Sequence, residues 1–314
     1  MSERVLISEK NTICRKKSPK KNPPFRTEQL PFRPRPPGSH EGYGHGGAAV
    51  DCGADRPRYQ WSQVSYRTKC GRLSKAGEFQ VERTRVFAET FLTYAGESEL
   101  CGQPYRVSDW LMQNIWKPLF GTGEVDKSTG RFRRRYRRVL IGVHRAFGKS
   151  QLAACLVLTI ATMEPLPNGQ YGIVADSKEN TAMVKSYIAT IINANETLKS
   201  QWKVYKDVIR NIETGQEIHV YPYKEAALQG KHFHVLIGDE IHVWRDDAVW
   251  KAGTSGQAKI WNAVTIGITT AGSSRDGFLF KLYQKLKRDK HAFVCWLGIT
   301  DQDNPADRRT WRKI

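Results

Sequence analysis

Residues 143–152, with the sequence Val-His-Arg-Ala-Phe-Gly-Lys-Ser-Gln-Leu, are the part of this chain best suited to hold phosphate groups. A hydrophobic run precedes Gly148, Lys149 and Ser150, and an apolar pattern of helical spacing follows them. In the order strand, tight loop, helix, backbone N–H groups surround phosphates, a lysine reaches the β- and γ-phosphate oxygens, and a serine hydroxyl binds Mg²⁺. The segment therefore predicts binding and hydrolysis of ATP.

The loop departs from the general pattern G-x-x-x-x-G-K-[ST] at its first position. That pattern requires glycine at position 143, where this chain has Val143, and Gly142 comes one residue too early. The tripeptide Gly-Lys-Ser alone is also compatible with an ordinary helix N-terminus and a solvated lysine. The loop by itself leaves both interpretations open.

A second segment, residues 235–240, is an apolar run that ends in Asp239 and Glu240. In phosphate-loop ATPases such an Asp holds the hydration shell of Mg²⁺, and the following Glu orients or deprotonates the attacking water. Acidic residues are also common at ordinary strand ends. Because Lys149 lies about 90 residues upstream in the same alternating pattern, the two segments together favour one ATPase site.

The elements that must position these residues alternate along the chain. Buried β-type runs alternating with helices predict an α/β fold with a doubly wound, mostly parallel sheet, of the phosphate-loop NTPase (RecA/ASCE-like) type. Since ligands of such sheets bind beyond the carboxyl ends of the strands, the loop, the acidic pair and the threonines after residue 268 can converge. The predicted strands are 139–143, 171–175, 234–238, 264–268 and 292–297, the helices 148–163, 177–195 and 276–288, and a hairpin spans 208–223.

Composition divides the chain into four predicted parts. Residues 1–58 are basic and rich in Pro and Gly, which predicts a disordered arm, either a functional basic arm or an inert leader. Residues 59–130 are predicted to form an N-terminal helical segment of the ATPase domain, residues 131–300 its core, and residues 301–314 the start of a linker. Within the core, residues 131–138 contain six arginines, which either track a phosphate backbone or form a solvated approach to the next strand.

Charge and hydropathy indicate the class of partner. The 314 residues carry a formal net charge of +19, which favours a polyanion, most plausibly nucleic acid, over an uncharged partner. No apolar stretch approaches the roughly 18 residues of a membrane span, and the N-terminus lacks the apolar region of a secretory signal. A cytosolic protein without a membrane partner is expected.

With these segments in place, the chain resembles the large terminase subunit of tailed bacteriophages, the ATP-driven DNA-packaging motor, from about residue 79 onward. The acidic pair with His242 also admits helicases, but the next strand ends in Thr-Thr-Ala-Gly instead of a Ser-Ala-Thr-like segment. The resemblance is carried by residues 94–105, 117–121, 144–150, 228–242 and 269–272.

The resemblance implies a role for each residue of the site. Arg145 would replace the missing first glycine as the signature of the loop and stabilise the transferring phosphoryl group. His144 stands in place of the family's proline, and Phe147 where a small or polar residue is common. The implied sets are catalytic Glu240, Arg145 and Lys149; nucleotide-binding His144, Arg145, Ala146, Phe147, Gly148, Lys149, Ser150 and, for adenine, Gln113; metal-binding Ser150 and Asp239; and coupling Thr269, Thr270, Ala271 and Gly272.

The resemblance also implies cofactors and partners. ATP and Mg²⁺ would power translocation of double-stranded viral DNA into a procapsid, in the cytoplasm of the bacterial host. The portal or procapsid, a small terminase subunit and further copies of the chain in a homo-oligomeric ring would be its partners. No nuclease activity is expected from these residues. The alternatives are a helicase-like DNA-dependent ATPase and a non-catalytic remnant that binds DNA or the portal.

Overall fold

A nine-stranded sheet runs through the protein in this computed structural model, which describes residues 64–272 and 276–298. The predicted arm and the predicted linker lie outside the described residues. The strands are β1 Val64–Arg67, β2 Gly123–Val125, β3 Phe132–Arg134, β4 Arg138–Gly142, β5 Gln170–Ala175, β6 Trp202–Val204, β7 Ile209–Asn211, β8 Glu217–Pro222, β9 Phe233–Asp239, β10 Val264–Thr269 and β11 Ala292–Leu297. The helices are α1 Lys75–Phe91, α2 Asp109–Leu111, α3 Lys149–Met163, α4 Lys178–Asn193, α5 Glu196–Gln201, α6 Ala248–Ser255 and α7 Phe278–Arg288.

The strand order in the sheet is β1-β11-β4-β10-β9-β5-β8-β7-β6. The six strands from β11 to β8 pair in parallel, whereas β1, β7 and β6 pair antiparallel at the two edges. Strand β10 lies between β4, which leads into the loop before α3, and β9, which ends at Asp239. The mostly parallel, doubly wound sheet confirms the predicted fold class.

Two apolar layers cover the sheet, as expected for parallel strands that are buried on both faces. In β4, Val139 and Ile141 belong to the core that includes α1, α3 and α4, whereas Leu140 belongs to a second core with α6 and α7. Alternation along the strand explains this division, since successive side chains point to opposite faces. The sheet thereby holds the ends of β4, β9 and β10 at fixed positions. Among the described residues, no helix is long and apolar enough to cross a membrane.

The segment before β4 is not wholly helical, contrary to the prediction for residues 59–130. It contains β1, which pairs with the edge strand β11, and the two-stranded sheet of β2 and β3. Ser108 caps α2 by accepting a hydrogen bond from Leu111 N at 3.3 Å. The helix then continues as a π-helical segment, Met112–Gly121, which includes Pro118. Within an α-helix the ring of proline clashes with the carbonyl four residues earlier, and this segment has i→i+5 spacing instead.

The arginine-rich run at residues 131–138 contains arginines that are bonded within the protein and arginines that are exposed. Arg134 is buried, pairs with Glu164 and donates from Nε to the backbone oxygen of Asn262 at 3.1 Å. Arg137 donates to the backbone oxygen of Gln257 at 2.6 Å. The exposed arginines of the run are 131, 133 and 135. Neither sequence interpretation accounts for the whole run, because its inward-facing members fasten β3 and β4 to the loop before β10.

Candidate functional site

The loop between β4 and α3 forms a turn at the carboxyl end of its strand. Two residues adopt left-handed backbone conformations, Ala146 with φ of 61° and Gly148 with φ of 81°. Val143 is buried, and its N–H donates to Thr269 O at 2.9 Å. Because residue 143 still pairs with β10, its position does not need glycine. The departure from the general loop pattern therefore has a structural reason.

Lys149 and Ser150, the first residues of α3, meet the acidic pair at the end of β9. Lys149 Nζ lies 3.2 Å from Glu240 Oε1, and it also donates to His144 O at 3.4 Å. Ser150 Oγ donates to Asp239 Oδ2 at 2.8 Å. The structure thus brings together four residues that lie on two distant segments of the sequence.

Asp239 is almost completely buried at this point. Burial raises the pKa of its carboxyl to about 6; the charge of Glu240 also raises it, whereas the Ser150 hydrogen bond and the Lys149 charge lower it. A carboxylate that burial disfavours gains most from a nearby cation. A serine hydroxyl beside a carboxylate is the hard oxygen donor set that Mg²⁺ prefers, so Ser150 and Asp239 fit a magnesium ion.

Glu240 lies between two cationic or potentially cationic groups. Its Oε1 faces Lys149, and its Oε2 lies 3.2 Å from His242 Nδ1. Its backbone is left-handed, with φ of 51°, and its N–H donates to Asp239 Oδ1 at 3.0 Å. Non-glycine residues adopt this conformation rarely, and it persists only where surrounding contacts impose it.

His242 connects Glu240 to the segment after β10. The backbone N–H of His242 donates to Thr269 Oγ1 at 3.0 Å, and its Nδ1 lies 3.3 Å from Thr269 Oγ1 and 3.4 Å from Thr270 Oγ1. Both threonines are buried, whereas Ala271 and Gly272 are exposed. His242 was not among the predicted site residues, although its spacing after the acidic pair was visible in the sequence.

Phe147 packs beside the loop against aromatic neighbours. Its ring centroid lies 5.1 Å from that of Trp110 and 5.4 Å from that of His144, edge-on in both cases. Phe147 is half-buried and adjoins the main core. These contacts explain why a bulky side chain is accommodated where a small or polar residue was expected.

Within the described part of the chain, the exposed Arg145 side chain makes no hydrogen bond or ion pair.

Gln113 lies on the π-helical segment with its side chain exposed. Its Oε1 accepts a hydrogen bond from Lys117 Nζ at 3.1 Å. Among the described contacts, none joins Gln113 to the loop. Trp110, in the preceding helix α2, does contact the loop through the ring of Phe147.

Gln151 is a second residue that sequence reasoning missed. It is buried, its Oε1 accepts from Ala95 N at 2.8 Å, and its Nε2 donates to Thr93 O at 3.0 Å. It thereby fastens the chain at residues 93–95 to the first turn of α3. The only sequence signal was its position directly after Ser150.

Comparison with known proteins gives concordant results. Residues 126–288, about half of the chain, match the family described as terminase large subunit, ATPase domain. The terminase large subunits of Lactococcus phages SK1 and p2 are 22% and 24% identical over 187 residues, each alignment covering 55% of this chain and 34% of the relative. The crystal structure of the HK97 bacteriophage large terminase shares the fold, with a TM-score of 0.61 and 20% identity, covering 74% of this chain and 47% of that one. The chain thus spans about a third of the curated relatives' length.

Proposed function

The chain belongs to the family of terminase large subunit ATPase domains, and from this membership we propose that it hydrolyses ATP to move double-stranded viral DNA into a procapsid. The observation that carries the proposal is the convergence of Lys149, Ser150, Asp239 and Glu240 beyond the carboxyl ends of β4 and β9. Loop, lysine, hydroxyl and paired carboxylates are the parts that phosphoryl transfer requires.

Each side chain is assigned one task. Lys149 would contact the β- and γ-phosphates, while Ser150 and Asp239 would hold Mg²⁺ or its water shell. The ion would supply positive charge that offsets the negative charge of the phosphates. Arg145, exposed in the loop, is available to stabilise charge on the transferring group.

The ion pair of Lys149 and Glu240 suggests how the binding of nucleotide frees Glu240 to act as the general base. Without phosphates, each side chain neutralises the other at 3.2 Å. Incoming phosphates attract Lys149 more strongly than one carboxylate does, since they bring several negative charges. Glu240 then loses a cationic neighbour and becomes free to orient or deprotonate the attacking water.

Coupling is assigned to the segment after β10. His242 contacts Thr269, Thr270 and Glu240. A movement of Glu240 would therefore be transmitted to the two threonines through His242. Ala271 and Gly272 continue that segment at the surface, where movement can be passed to the part of the motor that grips DNA.

The partners follow from the proposed role. Double-stranded DNA is the cargo, the portal of the procapsid is the docking site, and a small terminase subunit selects the genome. Further copies of this chain form a homo-oligomeric ring in the host cytoplasm. A non-catalytic remnant is the competing function, and ATP binding separates the two.

The test measures ATP binding and hydrolysis by the purified chain and three variants. Lys149→Ala is expected to lose ATP binding. Glu240→Gln is expected to bind ATP but hydrolyse it roughly a hundredfold more slowly or worse, since general-base catalysis contributes about 10²–10⁴. Glu213→Gln, an exposed carboxylate in the turn between β7 and β8, is the matched control and should retain both properties.

Two results would contradict the proposal. Wild-type hydrolysis by Glu240→Gln would remove the assigned base, and failure of the unmodified chain to bind ATP would favour the remnant. Chelation of divalent cations should stop hydrolysis, and added Mg²⁺ should restore it.

A further inference from the structure

A cavity of about 960 Å³ lies at the opposite ends of the strands from the phosphate loop. Arg138, the first residue of β4, and His291, which immediately precedes β11, both line it. A five-residue strand separates this cavity from the loop by roughly 15 Å. The cavity is therefore distinct from the nucleotide site.

The lining of the cavity is strongly basic. Six arginines and one lysine line it, against two carboxylates, Glu124 and Asp289. Arg133, Arg135 and Lys285 are exposed, and among the described residues none of the three forms an ion pair. Their charges are thus available to a ligand.

Two further arginines of the cavity are already bonded within the protein and are not free to bind a ligand. Arg134 is paired with Glu164, and Arg137 is bonded to backbone oxygens. Burial lowers the pKa of Arg137, and the charges of Arg138, Arg133 and Arg134 lower it further. Like charges gathered this closely oppose folding, and a bound polyanion would relieve their repulsion.

An aromatic side chain holds part of the basic surface in place. The guanidinium carbons of Arg131 and Arg133 lie 5.8 and 5.5 Å from the ring centroid of Trp261. A guanidinium over an indole ring is restrained while its N–H groups remain able to donate. These arginines therefore lose less side-chain entropy when they bind a ligand.

We propose that this cavity binds the phosphodiester backbone of duplex DNA, with Arg133, Arg135 and Lys285 contacting phosphates. A backbone, with one charge per about 1.7 Å of duplex axis, matches cations spread over β3, the segment before β4, and α7 better than a single phosphate does. The identity of the ligand as DNA rests on the proposed function, whereas the site itself rests on the cavity and its charges.

The test is duplex binding by the full chain over a range of salt concentrations, measured by fluorescence anisotropy with a duplex of arbitrary sequence. The triple variant Arg133→Ala, Arg135→Ala, Lys285→Ala is compared with a matched triple, Lys178→Ala, Lys203→Ala, Lys206→Ala. The matched lysines are also exposed, but they lie in α4, β6 and the loop after β6.

The cavity variant is expected to reduce the salt slope by about 3, one per lost phosphate contact, and the matched variant by less than 1. Arg133→Lys with Arg135→Lys should retain most of the binding, which distinguishes lost charge from lost folding. An unchanged slope in the cavity variant, or equal losses in both triples, would overturn the proposal. So would displacement of the duplex by poly-glutamate at equal charge concentration.

ATP hydrolysis without DNA is measured on the same samples. The cavity variant should keep the basal rate, because the loop lies at the other end of β4. A chain that binds duplex through the cavity but hydrolyses no ATP would refute the proposed function and leave this inference intact.

Discussion

Glu240 has its backbone in a left-handed conformation and its carboxylate between Lys149 and His242. The residue does not favour this backbone conformation by itself, so its neighbours must impose it. Any loss of a neighbour should therefore appear as a change in the carboxylate's position. The geometry of the proposed base is therefore expected to depend on residues that have no proposed contact with phosphate.

His242→Ala tests that sensitivity. We expect the variant to lower kcat about tenfold, equivalent to about 1.4 kcal/mol of barrier, with little change in KM, because His242 contacts Glu240, Thr269 and Thr270 and not the loop. Steady-state kinetics with His242→Asn, which keeps a polar side chain, should recover part of kcat. A variant that changes KM alone would assign His242 to binding instead.

Phe147→Ala tests whether the bulky loop residue obstructs nucleotide. Because the ring packs against Trp110 and His144, its removal should lower the free energy of unfolding by about 1–3 kcal/mol without tightening ATP binding. Denaturant titration and ATP titration measure the two quantities, and Phe147→Leu should lose less stability. Tighter ATP binding by the alanine variant would show that the ring crowds the loop.

The proximity of Lys149, Ser150, Asp239 and Glu240 could be predicted from the sequence. These residues come at or after the ends of predicted strands, and the carboxyl ends of parallel strands share one edge of the sheet. His242, Gln151 and Trp110 could not be located in this way. Their contacts depend on side-chain directions across elements far apart in the chain. The adenine-binding role of Gln113 stays a prediction.

At the scale of elements, β9 carries a buried histidine that makes stability depend on pH. His234 is buried, its Nδ1 lies 3.0 Å from the hydroxyl oxygen of Tyr171, and burial lowers the pKa of its imidazole to about 4. An unfolded histidine binds a proton near pH 6.5. Between these values the unfolded chain binds more protons, so the contribution of His234 to stability is retained above pH 6.5 and lost as pH falls towards 4.

The predicted loss is about 3 kcal/mol over that window. Asp239, whose pKa is raised to about 6, acts in the opposite direction, since its protonation in the folded state stabilises the fold as pH falls. The His234 contribution is therefore read as the difference between the unmodified chain and His234→Gln in denaturant titrations from pH 4 to 7. His232→Gln, an exposed position, is the control, and identical slopes for the chain and both variants would contradict the prediction.

The longer elements could be predicted from periodicity, whereas the short ones could not. Strands β4, β5, β9, β10 and β11 and helices α3, α4 and α7 lie close to their predicted bounds. Strands of three or four residues, such as β2, β3 and β6, contain too few residues to show a period of two. The π-helical segment was also hidden, because its turn length matches neither standard pattern.

At the scale of the whole molecule, ATP should stabilise the fold that holds its site. A ligand at a hundred times its Kd adds about 2.7 kcal/mol to the free energy of unfolding. A domain of this size should then show a rise in Tm of several degrees. Thermal denaturation with Mg-ATP measures the shift, Lys149→Ala should abolish it, and Lys178→Ala should retain it. If Mg-ATP raised the Tm of Lys149→Ala as much as that of the unmodified chain, the nucleotide would have to bind at another site.

Strand β4 has the phosphate loop at its carboxyl end and the basic cavity at its amino end. It is hydrogen-bonded to β10 and β11 on its two sides and covered by apolar layers on both faces. Such a strand is close-packed on every side. Because close-packed interiors have low compressibility and transmit strain, a displacement at one end of β4 should be passed to the other end with little loss along the strand.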